Sequence, residues 1–255
     1  MNKREGMKTM IYEQKKQITY NDIDANWDIS LTAILRYMTE SAWSNAEDLG
    51  IGVSQIPQTG LAFVIQRLAI KIYNPPILGD EFTLRTWPAE TKRTTFVRKG
   101  AFLDQSGAKL IEWESLWVLV DINERKIKRP DVLKAEVPLY GELDNEAKTE
   151  KILLPERGSI SNHRSYTHEV EFSDLDSYQH MSNTNYGDLL TNVYRQDESR
   201  SSFIKHGTQI HFNYVNEGQI YDKILVSLSE VENEIFIEGT TETHTVFTAI
   251  VRQEG

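Results

Sequence analysis

Four side chains that can do acid–base or hydrogen-bonding chemistry fall within seven residues of the second half of the chain. They are Asp174, Asp176, Tyr178 and His180, in the stretch DLDSYQHMSNTNY. Asp176 and His180 are four residues apart, so a turn could bring the carboxylate to the imidazole. A carboxylate beside an imidazole fixes its tautomer and favours its cationic form. The spacing therefore predicts an acid–base site; the alternative is that the aspartates shape a turn and His180 packs locally.

A helix is predicted directly after these residues, beginning at Ser182 or Asn183. Serine is a good N-cap residue, and the apolar side chains that follow have helical spacing. These side chains are Tyr186, Leu189, Leu190 and Val193. The first backbone N–H groups of a helix lack partners inside it, and the helix dipole makes that end positive. We therefore expect this end to be able to stabilise an oxyanion that forms on a thioester or ester carbonyl.

The chain contains an internal repeat with a constant offset of 152 residues. Residues 22–34 read DIDANWDISLTAI, and residues 174–186 read DLDSYQHMSNTNY. The residues that coincide at this offset include Asp22 with Asp174, Asp24 with Asp176, and Ser30 with Ser182. Asp28 stands where the second copy has His180. Because only the second copy has an imidazole here, we expect the chemistry in the second copy.

Each copy continues into residues that are typical of strands, rich in Val, Ile, Phe, Trp and Thr and broken by turn residues. In the first copy the predicted strands are Leu61–Tyr73, Glu81–Trp87, Thr95–Leu103 and Leu110–Asp121. In the second copy they are Gln209–Val215, Lys223–Glu230, Glu234–Thr241 and His244–Val251. One more strand is predicted before each helix, at Tyr12–Thr19 and His168–Phe172. A helix wrapped by a curved antiparallel sheet, made twice, is a double hotdog of the α+β class, and its two sheets can join edge to edge.

The predicted domains are an N-terminal hotdog over residues 1–140 and a C-terminal hotdog over residues 166–255. Residues 141–165 are polar and poorly periodic, which suits a linker. Residues 1–140 carry 19 Lys and Arg against 18 Asp and Glu, whereas residues 141–255 carry 9 against 20. The acidic second part argues against nucleic acid as a partner.

Composition excludes several classes of protein and site. The chain has no cysteine, which excludes a disulfide framework, a thiol nucleophile and a cysteine-ligated zinc. It has no apolar run of membrane-spanning length and no apolar segment near its start, so we expect a cytoplasmic protein without membrane insertion. The six histidines do not form an H-E-x-x-H spacing, and there is no phosphate-binding glycine loop. We therefore predict neither a metal nor another cofactor.

The stretch DLDSYQHMSNTNY is similar to the D-x-D-x-N-x-H-V-N-N-x-x-Y motif of the bacterial acyl-acyl carrier protein (ACP) thioesterases, which are related to plant plastid fatty-acyl thioesterases. The segments NPPILGDEFTLRTWP and SLWVLVDINERKIKRP extend the resemblance over residues 8–252. The resemblance implies a double hotdog with the acyl chain largely in the N-terminal half and the catalytic residues in the C-terminal half. The implied reaction hydrolyses a fatty acyl-ACP thioester, which terminates or diverts fatty acid synthesis.

Four residues match the catalytic positions of this family: Asp176, His180, Asn183 and Glu217. Glu217 follows a predicted strand in the sequence VNEG, and its alternative role is that of a solvated turn residue. The resemblance implies that Asp176 and Glu217 activate water or attack the carbonyl, and that His180 holds or protonates the sulfur. Tyr178 stands where plant members have an asparagine and retains a hydrogen-bond donor there. Gly218 stands where they have a cysteine.

The resemblance also implies a partner and a lipid site. Acyl carrier proteins are acidic, so we expect one to dock on the near-neutral first half. The candidate docking residues are Arg93, Arg98 and Lys99, and the candidate acyl-tunnel residues are Leu35, Met38 and Trp43. The chain can act as a monomer or a homodimer. Two other functions stay open: a thioesterase that prefers acyl-coenzyme A, and a non-catalytic acyl-binding hotdog protein.

Overall fold

A single antiparallel sheet of 11 strands forms the framework of the part of the chain that the structure describes. The structure is a computed structural model and describes residues 11–133, 137–140, 144–155, 162–197 and 199–253. The strands of the N-terminal half are β1 (Tyr12–Gln17), β2 (Leu61–Ile72), β3 (Glu81–Thr91), β4 (Thr95–Leu103), β5 (Lys109–Asp121) and β6 (Lys126–Lys128). Those of the C-terminal half are β7 (Asn162–Glu169), β8 (Thr208–Tyr214), β9 (Lys223–Val231), β10 (Glu234–Thr240) and β11 (Thr245–Gln253). The helices are α1 (Leu31–Asp48), α2 (Ile56–Thr59) and α3 (Tyr186–Tyr194).

The two halves share this sheet. Its strand order is β1-β3-β4-β5-β2-β8-β11-β10-β9-β7, with β6 paired to β5. Strands β2 and β8 join the halves, with Leu68 opposite Phe212 and Ile70 opposite Ile210. The predicted edge-to-edge joint is therefore confirmed, and it leaves neither β2 nor β8 as an exposed edge. With one main helix in each half, the architecture is a double hotdog.

The two main helices differ in where they begin. Ser30 caps α1 as predicted, since its Oγ accepts a hydrogen bond from the Ala33 amide at 3.1 Å. Ser182 does not cap α3, which begins only at Tyr186. The Ser182 side chain instead bonds Thr184 Oγ1 at 2.9 Å, inside a turn that precedes the helix. The helix of the second copy is therefore 9 residues long against 18 in the first. In the described part of the chain, no helix is both long and apolar enough to span a membrane.

The helices of the two halves touch where Gly187 of α3 meets Thr32 of α1. A Cβ atom on Gly187 would lie 2.9 Å from the backbone nitrogen of Thr32, so a side chain does not fit there. Beside this contact, Thr32 Oγ1 donates a hydrogen bond to Asp188 Oδ1 at 2.5 Å. The close approach fixes the start of α3 against the first turn of α1.

The predicted strands agree closely with the observed ones, with three exceptions. Strand β3 continues to Thr91, four residues beyond its predicted end at Trp87. Strand β7 begins at Asn162, six residues before the predicted start and inside the predicted linker. Its sequence NHRSYTHE is polar because β7 is at the edge of the described sheet, paired with β9. Strand β6 was not predicted, because three residues of mainly basic character do not look like a strand.

Residues 144–155, named here the covering segment, cross the face of the sheet that lies away from α1. The Asn145 side chain donates to the Trp113 carbonyl at 3.1 Å, and the Thr149 amide donates to Glu114 Oε1 at 3.0 Å. Farther along, Glu150 forms an ion pair with Arg252 of β11. The covering segment thus ties the outer faces of both halves together.

Candidate active site

The turn before α3 is built by Asp176. Its Oδ1 accepts a hydrogen bond from the Tyr178 amide at 2.8 Å, and its own amide donates to the His180 carbonyl at 2.9 Å. Gln179 completes the turn with a φ of 64°, in the left-handed region. The first copy repeats these features with Asp24, Asn26, Trp27 and Asp28. The sequence repeat is therefore also a repeat of local geometry, and one function of Asp176 is to hold the turn.

Asp174 also has a local task. Its Oδ2 accepts a hydrogen bond from the Glu171 amide at 2.9 Å and lies 2.9 Å from His168 Nε2. In the first copy Asp22 Oδ2 likewise accepts hydrogen bonds, from the Thr19 amide at 2.8 Å and from the Tyr37 hydroxyl at 2.9 Å. Asp174 thus shapes the turn, as its alternative interpretation proposed.

The imidazole of the second copy pairs with a distant carboxylate. His180 Nε2 lies 3.0 Å from Glu217 Oε2, and both side chains are partly exposed. A main-chain hydrogen bond of 2.8 Å from the Met181 amide to the Gly218 carbonyl holds the two loops together. The spacing in the sequence predicts Asp176 as the partner of His180, but no ion pair joins these two among the described residues. The reason is that Asp176 turns back onto the Tyr178 amide.

Two phenols flank this pair. Tyr186 is 3% exposed; burial raises the pKa of its phenol, and the charges of Glu217 and Asp176 raise it further. Tyr178 is 40% exposed, and the pKa of its phenol is raised by burial and by the charges of Asp176 and Glu47. Both phenols stay protonated at neutral pH. Tyr186 is the final tyrosine of the sequence motif, and this match is the one feature of the sequence that indicates its position near the catalytic residues.

Asn183 lies between the halves of the protein. Its Nδ2 donates to Thr39 Oγ1 of α1 at 3.3 Å, and its carbonyl accepts from the Tyr214 hydroxyl of β8 at 3.3 Å. Its backbone N–H has no acceptor in the described ranges. Asn183 therefore presents a free backbone donor in the turn before α3, close to where the helix N-terminus was expected.

A mainly apolar crevice leads from Asn183 into the N-terminal half. Its free volume is about 10 Å³, roughly the room for one water molecule. The lining residues are Leu35, Met38, Thr39, Ala42, Ile65, Leu68, Trp113, Ser115, Trp117, Asn183 and Tyr214. Leu35 and Met38 thus line a crevice, and their role as acyl-tunnel residues stays a prediction. Trp43 does not line it; its side chain is 52% exposed, one turn beyond Thr39 on α1.

One of the predicted docking residues is wrong. Arg98 is 8% exposed, and its Nη1 donates to Asn45 Oδ1 of α1 at 2.8 Å and to Thr86 Oγ1 at 3.3 Å. Side chains alternate along β4, and Arg98 points toward α1. Burial lowers the pKa of its guanidinium to about 10, so it remains charged at neutral pH. Arg98 is an interior cation and cannot contact a docked protein.

The other two docking candidates lie elsewhere. Lys99 is 9% exposed and lines a cleft of about 710 Å³ between the outer face of the sheet and the covering segment. Burial and the nearby Lys148 ammonium lower the pKa of Lys99. Arg93 is exposed in the turn between β3 and β4. Of the three, only Arg93 offers its charge freely to a large partner.

Comparison with known proteins identifies the family. Residues 9–135 match the family model described as the acyl-ACP thioesterase N-terminal domain. The chain belongs to the acyl-ACP thioesterase family. A relative, the chloroplastic acyl-[acyl-carrier-protein] hydrolase FATB3 of Cuphea viscosissima, is 23% identical over 188 residues. The match covers 69% of this chain but only 45% of the length of the plant protein.

Solved acyl-ACP thioesterase structures have the same fold. The acyl-ACP thioesterase of Bacteroides thetaiotaomicron superposes with a TM-score of 0.79 at 21% identity, covering 96% of this chain and 98% of that one. The 12:0-ACP thioesterase of Umbellularia californica gives a TM-score of 0.79 at 16% identity, covering 97% and 98%. At these identities the matches support the double hotdog over nearly the whole chain.

Proposed function

We propose that the protein hydrolyses the thioester between a fatty acyl chain and ACP, releasing the free fatty acid. One observation carries the proposal: the pair of His180 and Glu217, 3.0 Å apart, lies in the second repeat, whereas the first repeat has Asp28 at the histidine position. Asn183, three residues after His180, lines a crevice in the opposite half. Membership of the acyl-ACP thioesterase family supports the same reaction.

The pair suits general acid–base catalysis. Glu217 accepts a hydrogen bond from the Nε2–H group of His180, which leaves the unprotonated Nδ1 as a base for water. Water gives its proton to Nδ1 as its oxygen attacks the carbonyl, and Glu217 stabilises the resulting imidazolium. The imidazolium then returns this proton to the sulfur as the carbon–sulfur bond breaks. Asp176 is the positioning residue of this scheme, since its Oδ1 is held by the Tyr178 amide.

Asn183 supplies a hydrogen-bond donor for the oxyanion. A thioester carbonyl beside its free backbone N–H would have its developing negative charge stabilised by that donor. The acyl chain would then extend past Thr39 and Tyr214 into the crevice. Because the crevice has little free volume, side chains must move to admit the chain, and the flexible Met38 is suited to this. In this scheme residues 1–140 bind the lipid and residues 166–255 cleave the thioester.

The carrier protein would approach the end of the sheet where β8 ends and β4 begins. Tyr214 ends β8 next to the site, and the exposed Arg93 precedes β4 at the same end of the sheet. The acidic surface of a carrier protein complements Arg93 and the neighbouring Lys92. Arg93→Glu is expected to raise KM for acyl-ACP and to leave kcat unchanged, because the charge acts in docking.

The proposal is tested by comparing substrates. The purified protein is assayed for free fatty acid with acyl-ACP and with acyl-coenzyme A of the same chain length. A higher kcat/KM for acyl-ACP is expected. A higher kcat/KM for acyl-coenzyme A would show that acyl-coenzyme A, and not acyl-ACP, is the preferred substrate. Binding of acyl groups without turnover of either thioester would overturn the hydrolase assignment.

A further inference from the structure

Arg98 lies one strand beyond Ser115, which lines the crevice. One row of residues crosses the sheet from β8 to β4: Phe212, Leu68, Ser115 and Arg98 are neighbours in register. Leu68 and Ser115 line the crevice, and Arg98 lies on the next strand. At about 4.8 Å per strand, β4 is roughly 14 Å from β8. A chain that enters beside β8 and runs along this row therefore meets Arg98.

The helix above the row places a second polar group at the same depth. Ala42 lines the crevice, and Asn45, one turn later on the same face of α1, accepts the hydrogen bond from Arg98. Asn45 is 0% exposed, and its buried Nδ2 has no hydrogen-bond partner in the part of the chain that the structure describes. The lining of the crevice is thus mainly apolar, and two buried polar side chains, Asn45 and Arg98, lie next to its lining residues Ala42 and Ser115.

The charge of Arg98 has no carboxylate to neutralise it. Its described partners are the neutral oxygens of Asn45 and Thr86, and no ion pair involving it occurs in the described part of the chain. A guanidinium has five N–H donors, and a hydrocarbon cannot accept from any of them. Pressing methylene groups against this cation would remove its remaining hydration without replacing it, which is unfavourable.

We propose that Arg98, together with Asn45, forms a polar end wall that limits the length of the acyl chain. This inference rests on the proposed function and adds a specificity-determining residue to it. Chains whose methyl end stops beside Ser115 are hydrolysed well, and longer chains are rejected because they meet the guanidinium. Methionine is apolar and flexible and of similar length, so Arg98→Met removes the charge and leaves a pliable wall.

The test is a chain-length profile. The kcat/KM values of wild type, Arg98→Met and Lys99→Met are measured on saturated acyl-ACP substrates of increasing length. Lys99 is a matched control because it is adjacent in sequence but faces the opposite side of the sheet. In Arg98→Met, the ratio of kcat/KM for the chain two carbons longer than the wild-type optimum to that for the optimum should rise ~10-fold. Lys99→Met should keep the wild-type profile. An unchanged profile in a folded Arg98→Met overturns the proposal.

A second measurement uses the unaltered protein and needs no turnover. Calorimetry compares the binding of a fatty acid of the optimum length with that of its ω-hydroxy analogue. At a polar wall the hydroxyl finds Arg98 or Asn45, so the two acids should bind within about threefold of each other. Much weaker binding of the ω-hydroxy acid would show that the end of the crevice is apolar, and it would overturn the proposal of a polar wall. Because binding is read directly, this result is separate from any failure of the hydrolase assignment.

Discussion

His180 Nε2 lies 3.0 Å from Glu217 Oε2, across two loops that the hydrogen bond from Met181 to Gly218 holds together. In the first copy the same turn presents Asp28 instead of histidine. Burial, followed by the charge of Asp24, raises the pKa of the Asp28 carboxyl. The duplicated turn thus positions an acid–base pair in one copy and a carboxyl that hydrogen-bonds Ser202 in the other. This difference makes the first copy a built-in control for the second.

Asp176 and Asp24 provide the first matched comparison. Each accepts the amide two residues ahead at 2.8 Å, so Asp176→Ala and Asp24→Ala should each lower the free energy of unfolding by about 1 kcal/mol. Asp176→Ala should also lower kcat about 100-fold, because His180 loses its position. Asp24→Ala should leave kcat unchanged. Urea unfolding and thioester hydrolysis measure the two effects.

Asp176→Asn distinguishes a positioning role from a chemical one. An asparagine oxygen can still accept the hydrogen bond from the Tyr178 amide. Asp176→Asn should therefore keep the turn and most of the wild-type kcat. If Asp176→Asn is as inactive as Asp176→Ala while its unfolding matches wild type, the carboxylate itself takes part in the chemistry.

Much of the fold could be predicted because the strands alternate regularly and the turn residues separate them. Strand β4 was predicted with its observed bounds. The start of α3 was not, because Ser182 can cap a helix or close a turn, and only its contact with Thr184 decides between them. The prediction of Arg98 as a docking residue was wrong, because two adjacent charged residues do not indicate which of their side chains points inward.

The candidate site was predictable only in part. His180 stood out because the repeat offers a comparison at Asp28. Its pairing with Glu217 spans 37 positions and depends on how β8 ends beside the turn, which no local pattern encodes. Leu35 and Met38 lie on a regular apolar stripe, whereas Trp43 is apolar but lies on a more exposed face of α1.

A glycine beneath an aromatic ring recurs in both halves of the sheet. A Cβ atom on Gly100 would lie 2.1 Å from the Trp113 ring, and one on Gly239 would lie 2.1 Å from the Phe247 ring. We expect Gly100→Ala and Gly239→Ala each to lower the free energy of unfolding by about 1–3 kcal/mol through overpacking. The double variant Gly100→Ala, Trp113→Leu should lose less unfolding free energy than the sum of the losses in the two single variants. Strictly additive losses in urea unfolding would contradict direct steric contact.

His211 should make stability depend on pH. It is 5% exposed, and neither ring nitrogen has a hydrogen-bond partner among the described residues. Burial lowers the pKa of its imidazole, which the Glu150 carboxylate opposes and Arg252 supports. Below about pH 6.5 the unfolded chain therefore binds a proton that the folded protein still refuses, and the free energy of unfolding falls as the pH falls.

The pH effect is measured by urea unfolding between about pH 5 and pH 8. The variant His211→Phe should show a shallower decline below about pH 6.5 than wild type. The exposed His163, changed to Gln, serves as the control and should keep the wild-type slope. Equal slopes for His211→Phe and wild type would show that His211 takes up its proton equally in both states.

The most direct test of the account is the turnover of one acyl-ACP substrate by wild type, His180→Ala, Glu217→Gln and the double variant, with Asp28→Asn as the control from the first repeat. Because the two side chains act as a unit, we predict that each single variant lowers kcat about 100- to 10,000-fold and that the double variant falls little further. Asp28→Asn should match wild type. Wild-type turnover in a folded His180→Ala or Glu217→Gln would contradict the assignment of the catalytic pair.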